Sequence, residues 1–121
     1  MAPLNAGRLL LVAGLMFLLD LPWLSLIGGD YNAVVQAIQG GREVRMRPIG
    51  AVVVYPALAY LALRTQSLKD AFLTGLAVYA VYDFTVFSVF KDYKLYLALG
   101  DSLWGGLLFT AVYAIRQRFG L

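Results

Sequence analysis

Three aspartates in this sequence stand where an ionisable side chain is costly. Asp20, Asp83 and Asp101 each lie inside a long apolar run. At a helical rise of about 1.5 Å per residue, each lies roughly 10 Å from the same end of a bundle of helices that alternate in direction. Because a carboxylate is disfavoured in lipid, we expect all three to face the interior of that bundle. The spacing therefore predicts one layer of carboxyl groups.

Aromatic and hydroxyl side chains accompany these acids. Tyr55 falls at the same level on the remaining helix. Trp23 follows Asp20 by three residues, and such a pair shares one helix face. The same spacing recurs from Asp101 to Trp104. The candidate members of this polar cluster are Asp20, Asp83, Asp101, Tyr55, Tyr79, Tyr82, Thr85, Trp23, Trp104 and Lys91.

Two interpretations of the polar cluster remain open. In the first, the acids bind a proton or a cation. In the second, the acids accept hydrogen bonds from neighbouring hydroxyls and indoles and from a lysine whose side chain extends back along its helix. The polar layer then fixes how the helices pack. We favour the second interpretation. Trp23, Tyr93 and Tyr96 also fit a simpler role as aromatics at the membrane interface.

The residue types that are missing limit the chemistry further. The chain has no cysteine and no histidine, which removes disulfides, thiolate and imidazole catalysis and nearly every zinc, copper or haem site. No nucleophile motif, metal-ligand cluster or phosphate-binding glycine motif stands out. We therefore predict a protein that is not an enzyme and that has no cofactor or metal.

The composition indicates a membrane protein. Of 121 residues, 61% are hydrophobic and only 14% are charged, too few to cover the surface of a soluble domain. The basic residues stand at the ends of apolar runs, which fits lipid headgroups better than nucleic acid. The first run is too long for a signal peptide and contains Asp20.

The apolar runs predict an all-α polytopic fold, a single domain over residues 1–121. Four transmembrane helices are expected at about 9–27, 49–63, 71–90 and 95–115. Pro56 should kink the second of them. The short connections predict that the second, third and fourth helices pack as antiparallel neighbours in chain order.

The long connection between the first two helices carries a pattern of its own. Tyr31, Val34, Val35 and Ile38 follow an i, i+3, i+4, i+7 spacing after Asp30, which predicts a short interfacial helix at about 31–39 lying on the membrane. An ordinary solvated loop is the alternative. Four crossings would put both termini on one side. The ten lysines and arginines divide equally between the two sides, so orientation stays open.

Three segments resemble an uncharacterised family of small four-helix membrane proteins found in bacteria, algae and large DNA viruses. Residues 19–23 resemble its first-helix Leu-Asp-x-x-Trp, and residues 82–85 with Lys91 resemble its third-helix Tyr-Asp-x-Thr and lysine. Residues 101–106 resemble its fourth-helix Asp-x-x-Trp-Gly, and their paired glycines resemble the algal and viral branch. Val86 departs from the asparagine expected there. The resemblance implies a four-helix fold but no activity.

For function, these observations favour a structural, accessory or assembly component of a membrane complex, or of a viral internal membrane. The alternative is a small proton- or cation-coupled carrier or channel that acts as a homo-oligomer, with the three aspartates as its ion site. The expected partners are the lipid bilayer and further copies or subunits in the membrane.

Overall fold

The structure, a computed structural model, describes residues 5–121 and is built from four α-helices. Asn5 caps the first by accepting a hydrogen bond from the Arg8 amide, and Ser67 caps the third in the same way. Gly120, in the left-handed conformation with φ 69°, ends the fourth. The helices are α1 (Ala6–Ile38), α2 (Pro48–Leu63), α3 (Leu68–Val89) and α4 (Leu95–Phe119).

The prediction of a break after residue 27 and a separate helix at 31–39 is wrong. α1 runs through Gly28 and Gly29 without interruption and has 33 residues, or about 50 Å at 1.5 Å per residue. The apolar stripe that suggested a surface helix packs on protein instead: Val34 lies in a small core with Tyr93 and Leu97. This packing stabilises the last turns of α1, which Gly40 and Gly41 then end with positive φ.

The helices do not pack in simple chain order. α3 and α4 form the most extensive pair, whereas α1 pairs with α2 and also contacts α4. α2 and α3 touch only slightly despite the short turn between them. The main core contains side chains of all four helices, among them Met16, Ala59, Ala71 and Phe109.

Two glycines allow α3 and α4 to approach closely. A Cβ on Gly75 would overlap the Gly105 carbonyl, and one on Gly105 would overlap the Tyr79 ring. The backbones therefore touch at this crossing, which only residues without a side chain permit.

Length and composition make three of the helices capable of crossing a membrane: α1, α3 and α4. α2 is apolar but shorter, with 16 residues and Pro56 inside it. The outward faces carry many large exposed hydrophobic side chains, as expected of a bundle whose solvent is lipid.

Candidate functional site

The two Asp-x-x-Trp segments bind each other reciprocally across α1 and α4. The Trp104 indole donates to Asp20 Oδ1 at 2.7 Å, and the Trp23 indole donates to Asp101 Oδ1 at 2.9 Å. Between these bonds the two indoles stack, with ring centroids 5.5 Å apart and planes inclined by 12°. Because the helices are antiparallel, this exchange offsets the two carboxyls by about one turn along the bundle.

Asp20 also connects α1 to α2. Tyr55 donates its phenol hydrogen to Asp20 Oδ2 at 2.5 Å. Both oxygens of this carboxyl therefore accept a hydrogen bond from a neutral donor, and the residue is only 6% exposed. A single buried acid thus holds three helices together.

Asp83 is the most deeply buried of the three acids, with no exposed surface. Its Oδ1 accepts a hydrogen bond from the Tyr93 hydroxyl at 2.8 Å. Its Oδ2 is buried and has no donor among the described residues. A buried carboxyl oxygen without a hydrogen-bond donor is unfavourable, so the groups next to Asp83 determine whether its carboxyl holds a proton.

The carboxyl of Asp101 lies within hydrogen-bonding reach of Asp83. Two carboxylates only repel each other, but one proton held between them turns that repulsion into a hydrogen bond. The Tyr79 phenol lies close enough to all three acids to interact with them electrostatically. The structure therefore offers a site for a shared proton.

Three of the predicted cluster members lie elsewhere. Tyr82 is exposed, and its hydroxyl lies 3.0 Å from that of Tyr31. Thr85 is exposed and donates to the Val81 carbonyl of its own helix. Lys91 is also exposed, and the bond to Asp83 comes from Tyr93 instead. The other predicted members, Asp20, Asp83, Asp101, Tyr55, Tyr79, Trp23 and Trp104, do come together.

The interpretation of Tyr93 as an interfacial aromatic is wrong. This side chain is 4% exposed and turns inward from the α3–α4 connection, because that connection is only a few residues long. Burial and the bond to Asp83 raise the pKa of the Tyr93 phenol, which therefore stays a neutral donor. One feature of the sequence could have indicated this bond: a tyrosine lies in a tight turn directly after a helix that contains an aspartate. Trp23 likewise faces the bundle rather than only the interface.

Arg116 is a second polar residue that the sequence reading missed. It is 9% exposed, and its guanidinium donates to carbonyl oxygens at the end of α2. The sequence does not indicate these bonds, because an arginine directly after a run of apolar residues is typical of a membrane boundary. Among residues 5–121, no three acidic side chains are arranged to hold a metal ion.

An all-α bundle with an apolar exterior, three helices long enough to cross a bilayer and acids turned inward belongs to the class of helical membrane proteins. A family model described as "Predicted membrane protein (DUF2177)" matches residues 7–117, and the chain belongs to this family. This match confirms the resemblance to an uncharacterised membrane protein family. No curated protein and no solved structure matches the chain.

Proposed function

We propose that this membrane protein binds and releases a proton at the Asp83–Asp101 pair, as part of a small proton-coupled carrier or channel. The observation that carries the proposal is the bare Oδ2 of Asp83, buried beside a second carboxyl. Intramembrane acids without a basic partner are characteristic of proton pathways.

The proton occupies a defined position in this proposal. It forms the O–H of one carboxyl and is hydrogen-bonded to the other, while Tyr93 donates to the remaining side of Asp83. Release of the proton leaves two adjacent carboxylates, a state that repulsion and burial disfavour, so loading and unloading require the pair to reach water. Asp101 is partly exposed, whereas Asp83 and Tyr93 are buried.

We also propose that α2 is a fourth crossing. Its 16 residues span about 24 Å, less than the roughly 30 Å of a hydrocarbon core. Arg47 and Arg64 flank it, and both are exposed, so their side chains can extend to the headgroups at either end. Four helices of this size enclose little space, and we therefore propose that a proton path needs a homo-oligomer.

The second candidate is a structural or assembly component of a membrane complex. The observation that favours it is the arrangement around Asp20, whose two bonds connect α1 to both α2 and α4. Such a network specifies how helices pack without any transport.

Asp83→Asn separates the two candidates. An amide keeps the size of the side chain and still accepts from Tyr93, but it cannot cycle a proton. The proton proposal predicts a folded protein with thermal stability near wild type and no proton uptake into liposomes that contain a pH-sensitive dye. Asp30→Asn is the matched control, because Asp30 is exposed and accepts only from Tyr96 among its described neighbours.

Infrared difference spectroscopy tests the proton directly and independently of flux. We expect the carbonyl stretch of a protonated carboxylic acid in wild type and in Asp30→Asn, and its loss in Asp83→Asn. Wild-type liposomes without proton uptake, together with a spectrum that lacks this band, would favour the structural component.

A further inference from the structure

A cavity of about 480 Å³ lies at the other end of the bundle, where α1 begins and α2 and α4 end. Arg8 and Arg116 both line it, and no acidic side chain does. The remaining wall includes the neutral polar side chains of Thr65, Gln66 and Gln117. The cavity is therefore polar and positively charged, unlike the acid cluster.

Arg116 is held in place by the helix that it caps. Its Nη1 donates to the Ala62 carbonyl at 3.0 Å and its Nη2 to the Leu63 carbonyl at 3.2 Å. These bonds use carbonyls that the end of α2 leaves without amide partners. The positive charge is thus fixed in position before any ligand arrives.

Arg8 brings a second positive charge close to the first. The two guanidinium groups are near enough to repel each other. Arg8 donates from Nη2 to the main-chain oxygen of Leu121, and Arg116 Nε donates to the same atom. The Nε of Arg8 is buried and has no acceptor among the described residues. An anion in the cavity would relieve the repulsion between the two guanidinium groups.

We propose that this cavity binds a phosphate-bearing anion, either the headgroup of an anionic lipid or free phosphate. Guanidinium groups form paired hydrogen bonds with phosphate oxygens, and basic pockets at the ends of membrane helices bind anionic headgroups. The glutamine amides add neutral donors to the lining. This site is independent of the proton proposal, because it shares no residue with the acid cluster.

The test compares wild type with Arg8→Gln and with Arg118→Gln, an exposed arginine of the same helix end that does not line the cavity. Native mass spectrometry of the full chain measures retained phosphatidylglycerol against phosphatidylcholine. A parallel titration follows the thermal midpoint with inorganic phosphate. We expect preferential retention of phosphatidylglycerol, weakened about tenfold or more in Arg8→Gln and unchanged in Arg118→Gln.

The outcomes separate the two sources of the anion. Stabilisation by inorganic phosphate in wild type but not in Arg8→Gln, with no lipid preference, supports a free phosphate. Equal losses of phosphatidylglycerol retention in Arg8→Gln and Arg118→Gln would mean that diffuse surface charge attracts the lipid. This result would overturn the proposal. If Arg8→Gln fails to fold, the wild-type measurements still test the proposal. A wild-type protein that retains phosphatidylglycerol no better than phosphatidylcholine, and whose thermal midpoint does not rise with inorganic phosphate, has no such site.

Discussion

At the scale of single residues, the three aspartates of the cluster accept hydrogen bonds from neutral donors. Asp20 accepts from a phenol and an indole, Asp101 from an indole and Asp83 from a phenol. Such donors also favour the charged carboxylate, but less strongly than a salt bridge to lysine or arginine does. The protonated state of these acids is therefore disfavoured less than it would be beside a lysine or an arginine.

Tyr93→Phe tests the bond to the most buried acid. Removing the hydroxyl leaves the buried Oδ1 of Asp83 without the donor that it has in wild type, which predicts a loss of about 1 to 3 kcal/mol in the free energy of unfolding. Thermal or denaturant unfolding in detergent measures it. Tyr96→Phe is the control, since its bond to Asp30 is exposed and its removal should change stability by less than about 1 kcal/mol. Equal effects of the two variants would contradict the assigned role of Tyr93.

Residue spacing predicted much of the acid cluster but not all of it. Asp20 and Asp101 were found because depth in a helix follows directly from position in an apolar run. Tyr93 was missed because its direction depends on the conformation of a short turn, and Arg116 because its acceptors belong to a helix more than fifty positions away in the chain. Tyr82 and Thr85 were misplaced because neighbours in sequence point to different faces of one helix.

At the scale of helices, α3 and α4 depend on glycine where they cross. Gly75→Ala places a methyl group against the backbone of Gly105, so the helices must separate. We expect a loss of about 1 to 3 kcal/mol or more in the free energy of unfolding. Gly14→Ala is the matched control: nothing lies near its added methyl, and alanine gains up to about 1 kcal/mol of helix propensity in water. A neutral Gly75→Ala would contradict the close approach.

The reciprocal bonds between α1 and α4 predict that the two tryptophans act together. Trp23→Phe and Trp104→Phe each remove one indole donor and weaken the shared stack. A double-mutant cycle on the free energy of unfolding should give a coupling of about 0.5 to 1.5 kcal/mol. Additive effects of the two changes would show that the helices meet there without interaction between the rings.

Helix boundaries show where local patterns were insufficient. Capping rules account for the start of α2 at Pro48 and for the end of α1 before Gly40 and Gly41. Local rules do not account for the continuity of α1 through Gly28 and Gly29, since two glycines weaken a helix; packing of Val34 against Tyr93 and Leu97 supports this part of it. Tertiary contacts therefore decided the length of this helix.

At the scale of the whole molecule, the absence of cysteine makes membrane topology directly measurable. Four crossings predict that cysteines introduced at Ser67 and Gln117 react with a membrane-impermeant maleimide from one side of sealed vesicles. A cysteine at Gln36 should react only from the other side. All three positions are exposed in the bundle. Labelling of all three from the same side would rule out four crossings.

The stacked indoles have an optical consequence. Trp23 and Trp104 are the two tryptophans of the chain, and they lie nearly parallel at 5.5 Å. Transitions of rings this close couple, so the strong far-ultraviolet indole band should contribute an exciton signal to the circular dichroism that vanishes when α1 and α4 part. Each indole also donates to an aspartate, which makes its emission sensitive to the charge on that acid. The protein thus contains its own unlabelled spectroscopic reporter at the centre of the acid cluster.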